Sequence, residues 1–275
     1  MGKLRQESAL PQRYGDWALV TGASDGIGRA FAIELAKAGV SVALAARRKD
    51  KLKGVEAEIR ERFAVDVVTK SIDLSHAEGV DWLYDSLADL DIGLMIASAG
   101  FGTSGPFIAS DLQSELEMID LNCRSLAHLT YLFGQRFARR GRGGIVLMSS
   151  LVAFQGVPRA ANYAATKAYV QTFAEGLQHE LRPVGVDVLA VAPGPVNSGF
   201  GARANMNMTK AQTPAEVASG ALKALGKRDL VRPGFLAKFL ELSLSMMPRS
   251  GRVKIMGKVM GQMTRHQLAK PMQTH

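Results

Sequence analysis

The sequence predicts an α/β fold: a single doubly wound domain, with a parallel sheet and helices on both faces. Three observations predict it. Short apolar, β-rich runs alternate with helical stretches from residue 17 to residue 226. The runs are continuously apolar rather than alternating, as in parallel strands buried on both faces. Glycines at positions 22, 26 and 28 stand between the first run and the first long helix, where a βα turn of such a sheet belongs.

The elements follow in order. WALVT (17–21) reads as the first strand, and AFAIELAKAG as a helix ending at Gly39. SVALAA is a second buried strand, followed by a charged helix from about Lys49 to Arg62. VDVVTKSID (65–73) reads as a third strand, then a helix around Ala77–Leu87, then IGLMIASAG (92–100) as a fourth strand. A long helical segment runs from Leu112 to Arg139. GGIVLMSS (143–150) is a fifth strand, Asn162–Leu181 a long helix, and VDVLAVAPG (186–194) a sixth strand. Thr213-Pro214-Ala215-Glu216 is a capping box with proline at the first helical position, so a helix starts there and runs to about Gly226. Beyond Phe235 the pattern weakens. FLAKFLELSLSMM reads as a helix stopped by Pro248, and VKIMGKVMGQMTRHQL as a second, with Met256, Met260 and Met263 at helical spacing. The expected division is a dinucleotide-binding and catalytic domain over 1–235 and a basic, Met-rich extension over 236–275.

Composition excludes several classes. Of 275 residues, 47% are hydrophobic and 21% charged, ordinary for a globular chain with a large core. One cysteine, Cys123, rules out an intramolecular disulfide. The five histidines form no H-x-x-x-H pair and join no cysteine cluster, so no metal site is expected. No apolar run reaches the ~18 residues that span a bilayer. The first residues lack the apolar stretch of a signal peptide, so a cytoplasmic location is expected. The net charge of +9 is uneven, because residues 236–275 carry seven basic side chains and one acidic. That tail has only Phe239 as an aromatic, which does not support stacking on nucleic acid, and no nucleic-acid partner is expected.

The chemistry lies in a few short motifs. In YAATK, Tyr163 and Lys167 stand four positions apart and share one helix face. A phenol titrates near pH ~10. A cation ~4 Å away, at an effective dielectric of about 20, favours the phenolate by roughly 4 kcal/mol, or about 3 pK units. That would poise the phenol for acid–base work near neutrality. Gly22, Gly26 and Gly28 form a turn whose backbone N–H groups suit a pyrophosphate at a helix N-terminus. The second strand ends at Ala46, then Arg47 and Arg48. Cations there suit a 2′-phosphate, so NADP(H) is expected over NAD(H), although Asp25 adds a negative charge to the loop.

From about Asp16 to Gly226 the chain resembles the short-chain dehydrogenase/reductase family. The resemblance rests on Thr21-Gly22-x-x-x-Gly26-x-Gly28, Asp73-Leu74, Ala99-Gly100, Asn122, Ser150, Tyr163-x-x-x-Lys167, and Pro193-Gly194 with Val196. Ser150 precedes Tyr163 by thirteen residues, the family's usual spacing. It implies a Rossmann-like domain and an NADP-dependent oxidoreductase acting on CH–OH or C=O groups, with four catalytic residues. Tyr163 would donate a proton to the carbonyl oxygen, and Ser150 would orient that oxygen. Lys167 would lower the Tyr163 pKa and hold the nicotinamide ribose. Asn122 would fix a backbone-and-water path to Lys167. Asp73 and Leu74 would meet the adenine, while Pro193, Gly194, Val196 and Ser198 would line the carboxamide. Ser24, Asp25 and Ile27 belong to the glycine turn. One departure stands out: the fourth strand ends Ala97-Ser98-Ala99-Gly100, where the family commonly has two asparagines. Another residue must then tie the neighbouring strands, or the sheet is looser.

The loops expected to bound the substrate are FGTSGPF after Gly100, Leu151–Pro158 and Phe200–Thr209. LVAFQGVP and the region of Phe200, Met206 and Met208 are apolar and carry few charges, which suits a ketone, an aldehyde or an acyl chain, and FGARANMNMTKAQ is polar enough to read as a mobile lid. More loosely, the chain is similar to the branch with 3-ketoacyl-CoA reductases and 17β-hydroxysteroid dehydrogenases. Three roles are open to the tail: peripheral contact with an anionic membrane, packing across a subunit interface, or closing the substrate pocket. A homodimer or homotetramer built on helices 112–139 and 162–181 is expected. An NADP(H)-binding sensor or scaffold with little turnover is the alternative function.

Overall fold

The computed structural model describes residues 9–208, 211–234 and 247–269. Seven parallel strands form one sheet in the order β3-β2-β1-β4-β5-β6-β7. They are β1 (Trp17–Thr21), β2 (Ser41–Ala46), β3 (Val67–Ser71), β4 (Ile92–Ala97), β5 (Gly143–Met148), β6 (Val186–Val191) and β7 (Leu230–Val231). The helices are α1 (Ala9–Tyr14), α2 (Gly26–Lys37), α3 (Lys49–Arg62), α4 (Ala77–Asp85), α5 (Leu112–Ile119), α6 (Leu126–Arg140), α7 (Ala161–Leu181), α8 (Gly199–Arg203), α9 (Pro214–Ala224) and α10 (Arg249–Met263). All six strands read from the sequence are present. The two-residue β7 is an addition, too short to carry a pattern, and it pairs with the end of β6. The helix expected over 235–247 lies outside the described residues, apart from Met247.

The sheet has a core on each face, which is why its strands read as unbroken apolar runs. Every residue of β4 and β5 is buried. On one face Phe31, Leu35, Leu52 and Ile59 pack with Val217 and Ala221. On the other, Leu83, Leu129, Phe133, Phe137 and Ala174 cover Leu19, Met95 and Leu147. The helix ends follow local chemistry. Asp25 caps α2, Gly141 ends α6 with φ +68°, and Thr213 with Glu216 closes the capping box of α9.

Strand β1 pairs with β2 on one side and β4 on the other. The chain winds outward to β3, then crosses back past β1 to β4. The turns leaving β1 and β4 therefore diverge to opposite faces and leave a crevice at their carboxyl ends. The glycine turn and the segment Ser98–Gly100 border that crevice.

Candidate active site

The crevice is held open by Thr21. Its hydroxyl accepts from the backbone N–H groups of Ser98 and Ala99, both at 3.1 Å, and donates to the carbonyl of Ile96 at 3.4 Å. This side chain ties the end of β1 to the exit of β4, beside the positions where the family commonly has asparagines. Gly22 follows with φ +66°. A Cβ there would lie 2.8 Å from the carbonyl oxygen of Ser98, so only glycine fits between the two strand exits.

Asn122 sits where the long helix deforms. Residues Asp120–Ser125, between α5 and α6, form a π-helical turn. The Asn122 side chain leaves the helix to clamp Phe101: Oδ1 accepts from the Phe101 N–H at 3.1 Å, and Nδ2 donates to the Phe101 carbonyl at 2.8 Å. Nδ2 also donates to the Thr166 hydroxyl on α7 at 3.1 Å. A wide turn marks a functional position in many helices, and here it frees a side chain to join three elements. A second tie lies nearby, where the Asn162 amide donates 2.7 Å to the buried carboxylate of Glu115.

Helix α7 presents Tyr163 and Lys167 on one face, as their spacing requires. Both are buried. Tyr163 hydrogen-bonds Ser150, yet burial pushes its phenol up to about 12. Burial draws the Lys167 ammonium down to about 8. Lys167 Nζ donates to the Met148 carbonyl at 2.8 Å and lies 5.9 Å from the centre of the Tyr163 ring. The phenol shift runs opposite to the sequence expectation. Loss of hydration outweighs the field of a cation that is directed at the end of β5. Half-buried Cys123 is likewise raised by burial, to about 11, which makes it a poor nucleophile.

Charged groups gather at the opposite end. Arg47 lies 3.4 Å from Asp73, whose other oxygen accepts from the Ser75 N–H and hydroxyl at 2.9 and 2.8 Å. Burial opposes ionisation of Asp73, but the Ser75 hydrogen bonds and Arg47 hold its carboxyl below the usual range. Arg48 reaches the Ser24 hydroxyl at 3.4 Å and the Asp25 carboxylate at 3.6 Å. The Asp25 carboxylate also accepts from the Gly26 N–H at 2.7 Å, and the nearby arginine offsets its charge.

One cavity of about 840 Å³ joins these groups. It is lined by Gly22, Ser24, Asp25, Gly26, Ile27, Gly28, Arg47, Arg48, Asp73, Leu74, Ala99 and Gly100. Ser150, Tyr163, Lys167, Pro193, Gly194, Val196 and Ser198 complete the set named from the sequence. Asn122 stands behind the wall: its Oδ1 would lie 2.8 Å from a Cβ placed on Gly100, and Lys167 Nζ 3.7 Å from the same atom. The lining residues not named as site residues from the sequence come mainly from α10, with Arg252, Ile255, Met256, Val259, Met260 and Met263, in keeping with one of the three roles left open for the tail. Their helical spacing was visible, but nothing in it indicated what they face. Phe200 from α8 packs on the Tyr163 ring at 5.3 Å, and Arg203 lies 4.1 Å above the Phe101 ring.

The long glycine-lined cleft, flanked by cations, fits a dinucleotide. Among the described residues no group of three or more His, Cys, Asp or Glu could hold a metal ion, and no helix is long and apolar enough to cross a membrane.

The comparisons agree with this geometry. A family model described as short chain dehydrogenase matches residues 16–209. The human very-long-chain 3-oxoacyl-CoA reductase is 37% identical over 191 residues, which cover 68% of this chain and 61% of that protein. A solved structure of a 7beta-hydroxysteroid dehydrogenase is 25% identical, with a TM-score of 0.83, covering 90% of this chain and 98% of the other. A short-chain dehydrogenase from Sphingobium yanoikuyae, solved in complex with NADPH, is 29% identical with a TM-score of 0.75, covering 85% and 96%.

Proposed function

Because the chain belongs to the short-chain dehydrogenase family, whose members are oxidoreductases acting on CH–OH and C=O groups, we propose that it reduces an apolar ketone, aldehyde or 3-oxoacyl thioester with NADPH. The observation that carries the reading is the single cavity running from Arg47 and Arg48 past the glycine turn to Ser150, Tyr163 and Lys167. Bound NADPH would supply the hydride. The glycine turn would hold its pyrophosphate, Arg47 and Arg48 its 2′-phosphate, and Asp73 and Leu74 its adenine. Ala99, Gly100, Pro193, Gly194, Val196 and Ser198 would hold its nicotinamide half.

The chain's own groups do the rest. Tyr163 keeps its proton at neutral pH, because burial raises its pKa, and it delivers that proton to the carbonyl oxygen as the alkoxide forms. Ser150 hydrogen-bonds the same oxygen and orients it. Lys167, charged below about pH 8, holds the ribose hydroxyls and supplies positive charge beside the site. Asn122 is a positioning residue, acting through Phe101 and Thr166. At the far end Phe101, Phe200, Met206 and Met208 give the pocket its apolar character.

Assembly as a homodimer or homotetramer is supported by Leu112, Leu116, Ile119, Tyr131 and Tyr169, exposed on α5, α6 and α7. Peripheral contact with an anionic surface is supported by exposed Arg249, Lys254, Lys258 and Arg265. NADPH oxidation measured against ketones, aldehydes and 3-oxoacyl thioesters tests the reading. Tyr163→Phe should abolish turnover while NADPH affinity stays nearly unchanged, and turnover at the parental rate would disprove the assignment of the acid.

A further inference from the structure

We infer that α10 sets which carbonyl compounds the site accepts: Met256, Met260 and Met263 form an adaptable wall against the apolar body of the substrate, and a polar clasp at the helix's end holds that wall in place. The inference rests on the carbonyl-reductase reading and deepens it. Residues 256, 260 and 263 lie on one helix face, and all three line the cavity that holds Tyr163. Met260 is only 3% exposed and belongs to the same apolar cluster as Phe101, Tyr163 and Met206, against which Met256 and Met263 also pack. Unbranched thioethers change rotamer easily and fill irregular gaps. Such a wall suits long or bulky apolar carbonyl compounds, which reach it, over small ones, which do not.

The clasp is built from groups outside the cavity. Thr264 is fully buried; its hydroxyl accepts from Arg159 Nε at 2.6 Å and donates to the Met260 carbonyl at 2.7 Å. Arg159 occupies φ +68°, a region non-glycine residues rarely adopt, and this contact helps hold it there. Gln267 donates to the Ser104 hydroxyl at 2.8 Å and to the Asn205 carbonyl at 2.7 Å. The Asn207 N–H donates to the Met263 carbonyl at 2.9 Å. The end of α10 is thereby tied to the loop after Gly100, to the segment before α7 and to the chain after α8. These are the other walls of the apolar end.

The test measures kcat/KM by NADPH oxidation for straight-chain ketones of increasing length, in the parent and in Met260→Ala, Met260→Leu and Met260→Trp. Tryptophan should lower the long-to-short ratio by about tenfold or more, alanine should move the optimum to longer chains, and leucine should hold the ratio within about twofold. Met256→Ala repeats the test should the tryptophan variant not fold. Thr264→Val should flatten the length dependence by releasing the wall. Parental length profiles in folded Met260→Ala and Met256→Ala would overturn the inference. If the parent reduces no ketone, aldehyde or 3-oxoacyl thioester, the carbonyl reading falls. Calorimetric titration of the same ketones into the NADPH-loaded proteins then decides the wall separately. Variant-dependent affinity upholds it, and equal affinity or no binding overturns it.

Discussion

The ammonium of Lys167 stands 2.8 Å from the carbonyl oxygen of Met148 and 5.9 Å from the centre of the Tyr163 ring. The cation is held by the last residue of β5, while the phenol turns to Ser150. Both groups are buried, and burial disfavours whichever form carries charge. The phenol therefore rises and the amine falls.

This has a measurable consequence for stability. The folded pKa of Lys167, about 8, lies below its ordinary 10.5. Below pH 8 both states carry the proton and the folded state bears the cost of a buried cation. Between about 8 and 10.5 the unfolded chain binds more protons, so this cost is relieved as pH rises, by roughly 3 kcal/mol in all. Urea unfolding of the cofactor-free parent and of Lys167→Met, at pH 7.0 and 9.5, reads it. The stability difference should move in the parent's favour at the higher pH. A difference independent of pH would mean the amine is not depressed.

Thr21 makes a second prediction. Thr21→Val keeps the side chain's shape and leaves the Ala99 N–H without its acceptor, while the Ser98 N–H keeps the Ile96 carbonyl at 3.1 Å. An unpaired amide costs about 1–3 kcal/mol when buried, and Ala99 is only partly buried, so a loss of roughly 1 kcal/mol is expected. Thr21→Ser retains the hydroxyl and should recover most of it. Equal stability of the valine and serine variants would show that the tie is not made.

How much of this was legible in the sequence depended on the range of the interaction. Tyr163 and Lys167 were found by spacing because both lie on one regular helix. The glycine turn was found because its backbone demands are local. The π-turn at Asp120–Ser125 was not, because DLNCRS contains no breaker. The distortion accompanies contacts of Asn122 with Phe101 and Thr166, which are distant in sequence. The phenol shift was misjudged for a related reason: spacing fixes which face a lysine occupies, but not which acceptor holds its ammonium. The role of α10 was one of three left open, since its methionines, glycines and lysines give no clear apolar stripe.

At the adenosine end, Arg47 and Asp73 are each about half exposed at 3.4 Å, so their pairing contributes at most about 1 kcal/mol to stability. Arg47→Asp should leave the unfolding midpoint nearly unchanged. It removes one charge-assisted partner for a 2′-phosphate, worth about 1.5–3 kcal/mol, and the ratio of NADPH to NADH affinity should fall by roughly 10- to 100-fold. Direct titration of each dinucleotide reads this, and an unchanged ratio would reject Arg47 as the phosphate ligand.

The last prediction concerns Gly102, which separates two rings that meet at the site. A Cβ at this position would come 2.7 Å from Phe200 Cζ and 3.0 Å from Tyr163 Cδ2. One ring must yield. Phe200 lies on the five-residue α8, whereas Tyr163 is set in the 21-residue α7 and hydrogen-bonded to Ser150. Gly102→Ala should therefore displace Phe200 first and press on Tyr163. Overpacking of this kind costs about 1–3 kcal/mol, and a shift approaching 1 Å at a catalytic group costs about 100-fold in rate. A fall of roughly 10-fold in kcat is expected for a smaller movement, with NADPH affinity retained. Phe200→Leu in the same chain removes the far ring atoms and should restore much of the lost kcat. If the double variant is as slow as Gly102→Ala alone, the alanine acts on Tyr163 directly rather than through the ring opposite.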